Sequence, residues 1–389
     1  MKVGIVTHYY KSNNYGGNLQ AYALCKAISN LGHDVEQISF KRINNKSFKH
    51  RMYELYSFVK NYKEITVKKS IQARQDAIGI FNTGCIPHSK IYSEKNIEKC
   101  VGDYDAFITG SDQVWHPSAC CDAYLLKFVP PSKRKISYAA SIACDTVSKE
   151  YQERLADALK DYDYISLREK NAVSIVDNLT DNSVQCTLDP TLLLSKDEWD
   201  SIVEPCNVPK KYLFCYFLGD GLRERQLASE YAERKKLKIV TLPFLLGKYR
   251  ECDKEFGDFL LYDVSPKNLL YIIKNAEIVF TDSFHATVFS WIFEKEFFVF
   301  NRGKNSSMSS RLYSILSIFD CKERFCDSEN RTTVEYIETC IPINYAKVFD
   351  KFEIEKTKSL NFLKKALCDG SVKKQNKVIK NMGKYDKNI

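Results

Sequence analysis

The amino-acid sequence predicts an α/β protein with two Rossmann-like domains that face a cleft and a C-terminal crossing helix. Three observations carry this prediction. Short apolar segments alternate with helical segments from residue 1 to 190, and a second alternating series runs from 191 to 344. Tyr345 to Leu367 then show one long helical pattern, which we expect to cross back onto the first half.

The first series begins with the strand-like run Val3 to Thr7. Tyr15-Gly16-Gly17-Asn18 indicates a glycine turn, and we expect the next helix from Leu19 to Leu31, with Gly32 ending it. A further helix is predicted at Lys149 to Leu159. The other predicted strands are Val35 to Ser39, Ala106 to Thr109, Ile136 to Ala139, Tyr164 to Leu167 and Val184 to Thr187. This alternation is typical of a doubly wound parallel sheet.

The second series shows the same alternation of strands and helices. Its predicted strands are Lys211 to Leu218, Leu237 to Leu242, Ala276 to Phe280 and Phe297 to Asn301, and its helices are Leu222 to Lys235 and Pro266 to Lys274. We therefore expect an N-terminal domain at 1–190, a C-terminal domain at 191–344, a helix at 345–370 and a basic tail at 371–389. Two facing α/β domains with a cleft between them are the architecture of GT-B transferases.

Composition restricts where such a protein works. With 389 residues and 44% hydrophobic content the chain is long enough for two domains, and no apolar run approaches the roughly 20 residues that span a bilayer. The first seven residues are too short and too alternating for a signal peptide. The 14 cysteines are scattered without a C-x-x-C pair, as expected of free thiols in a reducing cytosol. We expect a cytoplasmic protein.

The net charge of +9 is unevenly distributed. Lys41 to Gln75 carries +8 and Ser371 to Ile389 carries +5, which leaves the main body near −4 and argues against nucleic-acid binding. Around Arg51 to Lys63, apolar residues at helical spacing beside lysines predict a basic amphipathic helix. This helix could contact an anionic membrane surface peripherally, at the inner face of the membrane. The alternative is a helix that packs on its own domain.

The segment Thr281 to Thr287 is the most informative motif, because it puts a histidine where a strand passes into a helix. Asp282 or Ser283 is the expected N-cap of that helix. His285 would then lie beside unpaired N–H groups that attract anions, at a strand end where open α/β sheets bind ligands. The alternative is a histidine at a capped helix start with no ligand.

Two further strand ends carry polar groups. Asn14-Tyr15-Gly16 belong to a first βα turn that is not G-x-G-x-x-G, so dinucleotide binding is weakly supported, although two glycines let the backbone approach a ligand closely. After the strand that ends at Thr109, the run Gly110 to Trp115 brings together a carboxylate, an amide and an indole. Such groups suit a carbohydrate, and a helix start with a buried tryptophan is the alternative.

Three arginines follow predicted strands. Arg168 comes directly after one strand, where its guanidinium could hold a carboxylate or phosphate with two hydrogen bonds. Arg302 and Arg311 follow the His285 helix and flank a serine-rich loop that would suit an anion. Each arginine alone is a weak signal.

Together these motifs resemble the polysaccharide pyruvyl transferase family. The matching pieces keep their order from the first residues to about Arg311, and they are Val3 to Thr7 with Asn14 to Gly16 and Leu19 to Leu24, Thr109 to Trp115, Ser137 to Ser141, Ser166 to Glu169, Leu188 to Thr191, and Asp282 to His285. Each motif is modest by itself, and their order makes the resemblance specific.

The resemblance implies a GT-B-like fold, phosphoenolpyruvate as donor and a pyruvate ketal on a sugar of a surface polysaccharide as product. No metal or other cofactor is implied to be obligatory. Ser283 and Ala286 depart from the family's frequent Arg-x-His-Gly pattern. The missing positive charge would then come from Arg311 or Arg302.

Roles follow from the matching positions and from the motifs. We expect His285 and Asp112 to be catalytic, with Asp112 acting on an acceptor hydroxyl from the opposing domain. The residues expected to bind phosphoenolpyruvate are Arg168, Arg311, Arg302 and Ser283. Those expected on the acceptor side are Asn14, Tyr15, Gly16, Gln113 and Trp115.

Two other functions remain open at this point. A GT-B glycosyltransferase that uses a nucleotide sugar would share the architecture. A non-catalytic homologue that binds a glycan would explain Ser283 and Ala286. The acceptor of the favoured enzyme would be a sugar, or an oligosaccharide linked to a membrane lipid.

Overall fold

A seven-stranded parallel sheet organises the first half of the chain. The computed structural model describes residues 1–42, 65–245, 250–302, 306–326 and 332–368. The strands are β1 (Lys2–Val6), β2 (Asp34–Lys41), β3 (His88–Ser93), β4 (Ala106–Thr109), β5 (Arg134–Ala140), β6 (Tyr164–Leu167) and β7 (Val184–Cys186). Their order is β3-β2-β1-β4-β5-β6-β7, so the strand order reverses between β1 and β4.

A second parallel sheet with six strands organises the second half. Its strands are β8 (Tyr212–Tyr216), β9 (Lys238–Thr241), β10 (Phe259–Leu260), β11 (Ile278–Thr281), β12 (Glu296–Phe300) and β13 (Phe325–Cys326). The order is β10-β9-β8-β11-β12-β13, which reverses between β8 and β11. Ligands of open α/β sheets bind at such reversal points, beyond the carboxyl ends of the strands.

Helices cover both sheets and connect their strands. They are α1 (Tyr15–Asn30), α2 (Ile65–Cys85), α3 (Lys149–Leu159), α4 (Lys170–Asp177), α5 (Lys196–Asp200), α6 (Leu222–Lys235), α7 (Glu251–Lys254), α8 (Pro266–Asn275), α9 (Phe284–Ile292), α10 (Ser306–Ile318), α11 (Val334–Thr339) and α12 (Tyr345–Cys368). Two parallel sheets with interleaved helices confirm the predicted GT-B-like fold class.

The strands predicted from apolar runs are all present, and one predicted boundary is wrong. Helix α1 begins at Tyr15, so the residues expected to form a glycine turn are its first turn. The helix starts there because Asn14 caps it: the Asn14 side chain accepts hydrogen bonds from the backbone N–H groups of Gly16 and Gly17, at 3.0 and 3.4 Å.

The two halves contact each other directly. The Tyr15 hydroxyl in α1 donates to the backbone oxygen of Val264 at 2.7 Å. From α2, the Arg74 guanidinium donates to three backbone oxygens of the second half, those of Tyr262, Pro243 and Leu261, at 2.9 to 3.1 Å. These bonds hold the carboxyl ends of the two sheets towards each other.

Helix α12 spans both halves, as predicted. Phe352, early in the helix, packs beside Trp291 and Phe319 of the second half. Phe362, two to three turns later, packs beside Tyr138 of β5. Near the end of the helix, the Arg134 guanidinium donates to the backbone oxygens of Ala366 and Leu367.

Some predictions concern residues outside this description. The predicted basic amphipathic helix around Arg51 to Lys63 and the lysine-rich tail lie outside the described residues. Among the helices that are described, none has the length and apolar content to cross a membrane. All 14 cysteines are free thiols.

Candidate active site

His285 lies where the two halves meet. It occupies the first turn of α9, which follows β11, and Ser283 caps this helix by accepting a hydrogen bond from the backbone N–H of Ala286 at 3.5 Å. The imidazole points across the cleft towards the first half and is 13% exposed. A strand end and a capped helix therefore fix the position of this histidine, as the sequence indicates.

Gly16 of α1 lies directly against the imidazole. A Cβ atom built on Gly16 would come within 2.0 Å of His285 Nδ1, far inside any allowed contact. Only a glycine at this position lets the first turn of α1 approach the ring so closely. The absence of a side chain on Gly16 therefore leaves the space that the His285 imidazole occupies.

Asp189 lies at the centre of a network of polar side chains around His285, although the sequence motifs predicted no separate role for it. Its Oδ2 accepts from Arg168 Nη1 at 2.8 Å and from the Ser111 hydroxyl at 3.2 Å. Its Oδ1 accepts from the backbone N–H and the hydroxyl of Thr191. His285 Nε2 lies 3.7 Å from Asp189 Oδ2, within ion-pair range and beyond hydrogen-bond distance.

The charges around Asp189 keep it ionised. Burial by itself raises the pKa of this carboxyl, but the imidazole of His285 and the guanidinium of Arg168 outweigh burial and hold the pKa well below its ordinary 3.8. The carboxylate is buried, and it belongs to the connection between the first sheet and the second. It can therefore orient His285 from the opposite half.

Arg168 follows β6 and is buried between two carboxylates. Besides Asp189, it donates from Nη2 to Asp112 Oδ1 at 3.4 Å. Its guanidinium also lies over the ring of Phe284, 4.6 Å from the ring centroid. Burial lowers the pKa of Arg168, and the carboxylates of Asp189, Asp112 and Glu169 more than reverse that effect, so the net shift is upward. The charge of Arg168 is largely balanced inside the protein.

Asp112 joins this cluster from the end of β4. Its φ of +66° is unusual for a residue that is not glycine. Its backbone oxygen accepts from the backbone N–H groups of Val114 and Ser141, which fixes the residue beside Arg168. Burial raises the pKa of Asp112, but the combined effect of Arg168, His285 and His8 is larger and opposite, so the net shift of the pKa is downward. His8 was not predicted as a site residue.

Arg311 approaches the cluster from α10 in the second half. When the Gln113 amide is oriented with its oxygen towards Arg311, that oxygen lies 2.6 and 3.0 Å from the two terminal guanidinium nitrogens. Burial and the neighbouring Arg168 lower the pKa of Arg311 to about 10. A guanidinium with a lowered pKa marks a place where negative charge would be stabilised.

Arg302 and Asp282 form a second arrangement at the reversal point of the second sheet. Asp282 accepts from the backbone N–H groups of Leu218 and Gly219 at 2.7 and 2.6 Å. Arg302 Nη2 donates to the backbone oxygen of Asp282 at 2.9 Å, and the Arg302 side chain is 21% exposed. The serine-rich segment between Arg302 and Arg311 was expected to be a loop, and this is wrong from Ser306 onward, where α10 begins.

Two predicted acceptor residues are buried. Trp115 is fully buried, and its indole N–H donates to the backbone oxygen of Tyr124 at 3.1 Å, so it offers no face to a sugar. Tyr15 is buried with its hydroxyl bonded to Val264. Both large aromatic rings serve packing, which was the alternative considered for Trp115. Asn14 and Ser283 use their side chains as helix caps.

The space enclosed by the cluster is small. A cavity of about 20 Å³ lies between Arg168, Arg311 and Phe284, enough for one water molecule. The His285 Nε2 atom is buried and has no hydrogen-bond partner among the residues that the structure describes. Asp189, whose Oδ2 lies 3.7 Å from this atom, belongs to the other half of the protein.

Two facing parallel sheets with a histidine, three arginines and several carboxylates between them define a GT-B-like α/β protein. A family model for polysaccharide pyruvyl transferases matches residues 14–304. The chain belongs to the polysaccharide pyruvyl transferase family, which confirms the resemblance drawn from its motifs.

Solved structures with a similar fold are distant in sequence. MnaA of S. aureus, solved with UDP, matches with a TM-score of 0.50 at 10% identity and covers 94% of this chain and 96% of its own. UGT89C1 of Arabidopsis thaliana, complexed with quercetin, gives 0.49 at 10% identity, with 94% and 99% covered. The likeness to MnaA concerns the fold alone. A search of curated proteins gave no match.

Proposed function

We propose that this protein transfers the pyruvyl group of phosphoenolpyruvate to a sugar, forming a pyruvate ketal and releasing phosphate. The observation that carries the proposal is the clustering of Arg168 and His285 around Asp189, with Arg311 close enough to Arg168 and Arg302 for their charges to lower its pKa, in a chain of the polysaccharide pyruvyl transferase family. Phosphoenolpyruvate carries a carboxylate and a phosphate, and guanidinium groups are well suited to both. In this proposal phosphoenolpyruvate is a co-substrate, and no resident cofactor takes part.

The reaction needs one proton donor and one proton acceptor. The methylene carbon of phosphoenolpyruvate gains a proton, and C2 becomes oxocarbenium-like. One sugar hydroxyl then attacks C2, phosphate leaves, and a second hydroxyl of the same sugar closes the ketal ring. Overall, the two hydroxyl protons end on the new methyl group and on the phosphate. General acid–base groups and fixed cations accelerate such steps.

The chain offers a group for each task. His285 donates the proton to the methylene carbon or contacts the phosphate, and Asp189 keeps its imidazole oriented. Asp112, whose pKa is lowered mainly by Arg168 against the effect of burial, is ionised at neutral pH and can accept a hydroxyl proton. Arg311 binds an anionic group of the donor. Since the cluster encloses only about 20 Å³, we propose that donor binding follows opening of the cleft.

Calorimetric titration with phosphoenolpyruvate tests this proposal. The full-length protein should bind it saturably, and Arg311→Ala should weaken binding by roughly tenfold or more, since hydrogen bonds to charged groups contribute about 1.5–3 kcal/mol. Arg154→Ala is the matched control, because Arg154 pairs with Asp122 on an exposed surface of α3. Arg168→Ala is less informative, as it would leave two buried carboxylates unpaired.

A parallel titration with UDP separates the proposal from its alternatives. MnaA was solved with UDP, and its fold is similar. Binding of UDP without phosphoenolpyruvate would favour a nucleotide-sugar glycosyltransferase. Binding of neither, with retained affinity for an oligosaccharide, would favour a non-catalytic glycan-binding protein.

We further propose a lipid-linked acceptor at the inner face of the membrane. The support is the basic composition of residues 41–75. Anionic liposomes should capture the full-length protein, and replacing Lys49, Arg51, Lys60 and Lys63 with glutamate should abolish capture. Unchanged capture would refute membrane contact through this segment and would leave the donor assignment untouched.

A further inference from the structure

A large cavity between described residues lies in the first half, outside the histidine–arginine cluster. It has a volume of about 650 Å³ and is bounded by the loop after β1, by α2 and by β2 and β3. Ligand pockets in proteins commonly have volumes of roughly 300–1,000 Å³. The cavity therefore has the size of a site for a short oligosaccharide.

One loop separates this cavity from the catalytic cluster. Residues 8–14 follow β1 at the reversal point of the first sheet. His8 faces the cluster, where its Nε2 lies 3.3 Å from the backbone oxygen of Gln113. The next five residues, Tyr9 to Asn13, line the cavity. Only this loop would therefore lie between a ligand in the cavity and the cluster.

The lining combines apolar surface with uncharged polar groups. Tyr9 and Ile78 are buried, Tyr10 is half-buried and Ile91 is 58% exposed. The polar lining groups are the hydroxyls of Ser12, Ser39, Thr83 and Ser89, the amides of Asn13, Gln75 and Asn82, and the imidazole of His88. Lys11 is the single lysine among the described lining residues, which include no arginine and no carboxylate.

Several of these polar groups are available to a ligand. The amides of Asn13 and Gln75 make no hydrogen bond to any residue that the structure describes, and each can both donate and accept. The exposed His88 uses Nδ1 on the backbone oxygen of Ile86 at 2.8 Å, which leaves Nε2 facing outward. Neutral donors and acceptors of this kind pair with hydroxyl groups.

We propose that this cavity binds the neutral oligosaccharide part of the acceptor, the sugars adjoining the one that receives the pyruvyl group. This inference rests on the proposed function for the identity of the reaction and deepens it by naming a site for the acceptor. Sugar rings present apolar C–H faces and a rim of hydroxyls, which match the tyrosine and isoleucine surfaces and the amides of the lining. An anionic donor would need more cations than Lys11, and an isoprenoid chain would need fewer polar groups.

The glycines of α2 supply a matched pair of variants. Gly79 lines the cavity, whereas Gly84 on the same helix does not, and an added Cβ meets nothing within 4 Å at either position. Gly79→Phe would put a ring at the wall of the cavity, and Gly84→Phe would put the same ring outside it. Replacing glycine within a helix does not weaken the helix, so both variants should fold.

The full-length protein and both variants are tested for binding to an array of neutral gluco-, galacto-, manno- and N-acetylglucosamine oligosaccharides. The strongest ligand is then titrated by calorimetry. We expect the wild type and Gly84→Phe to bind alike and Gly79→Phe to bind at least about tenfold more weakly. Equal binding by Gly79→Phe, equal loss in both variants, or absence of any bound glycan would overturn the proposal. So would binding of farnesyl phosphate in place of glycans, since it would assign the cavity to a lipid.

Titration with phosphoenolpyruvate in the same preparations distinguishes failure of the proposed donor from failure of the proposed glycan site. Lack of phosphoenolpyruvate binding by the wild type would refute the proposed donor while leaving a selective glycan effect of Gly79→Phe intact. Binding of phosphoenolpyruvate by all three proteins, with no effect of Gly79→Phe on glycan affinity, would refute the cavity alone.

Discussion

The imidazole of His285 rests on the backbone of Gly16, so that the first turn of α1 in one half and the first turn of α9 in the other are in contact. A larger residue in place of Gly16 would displace the imidazole or the helix. The contact ties the geometry of His285 to the relative position of the two halves.

Gly16→Ala should therefore impair activity more than stability. The added methyl group would come within 2.0 Å of Nδ1 and push the imidazole or the helix aside. Displacement of a catalytic group by about 1 Å typically lowers turnover roughly 100-fold. Phosphate release from phosphoenolpyruvate in the presence of acceptor measures the effect. Gly84→Ala, in open space on α2, should leave turnover unchanged. Full activity of Gly16→Ala would exclude His285 as a tightly positioned catalytic group.

Asp189→Asn should destabilise the fold in a pH-dependent way. The pKa of Asp189 in the folded protein lies below its ordinary 3.8, because His285 and Arg168 outweigh burial. This carboxylate thus contributes stability that is present above about pH 4 and is lost as the pH falls through the folded-state pKa. We expect Asp189→Asn to lower the free energy of unfolding by about 3 kcal/mol at pH 7. This difference from the wild type should become smaller below pH 4. Urea unfolding at a series of pH values measures it.

The exposed Asp181 provides the control for that series. Asp181→Asn should change the free energy of unfolding by less than about 0.5 kcal/mol at every pH. A constant difference between Asp189→Asn and wild type across the series would show that the effect comes from packing and not from ionisation.

Trp115→Phe should lower stability without affecting the acceptor. The substitution removes the indole N–H that bonds to the backbone oxygen of Tyr124, which still accepts from the Thr109 hydroxyl, and it shortens a fully buried side chain. We expect a cost of roughly 0.5–3 kcal/mol. Thermal unfolding should reveal the loss, while KM for the acceptor stays within twofold. A raised KM at unchanged melting temperature would instead support the sugar-stacking role that the sequence suggested.

Tyr15→Phe should loosen the contact between the halves. It deletes the hydroxyl that donates to the backbone oxygen of Val264 at 2.7 Å across the cleft. We expect a loss of about 1–2 kcal/mol in unfolding free energy and faster proteolysis of the native protein. Tyr313→Phe, on an exposed part of α10, is the matched control. Identical proteolysis of both variants would show that the hydroxyl does not hold the halves together.

Much of the fold follows from local patterns, because buried parallel strands are short continuous apolar runs. Residues 106–109 and 278–281, for example, are fully buried and were predicted from their composition. The strands that were missed lie at or near sheet edges. His88–Ser93 is largely polar because water reaches it, and Phe259–Leu260 and Phe325–Cys326 are only two residues long.

The site was predictable where a residue ends a strand and less so where its role comes from distant partners. His285, Arg168 and Asp112 stand at strand ends and do converge. Asp189 was recognised only as part of a motif, since its link to His285 exists only after the two halves have docked. Two adjacent glycines resemble a turn in sequence, whereas the structure caps a helix there with Asn14 and puts Gly16 against an imidazole that is 269 residues away in the chain.

Helix α12 has a consequence for movement. The halves are joined once by the segment around Asp189 to Ser195 and a second time by α12, which is anchored in the second half by Phe352 and in the first by Phe362 and Arg134. The packing of α12 on both halves therefore couples any movement of one half to this helix, in addition to the hydrogen bonds that Tyr15 and Arg74 make across the cleft.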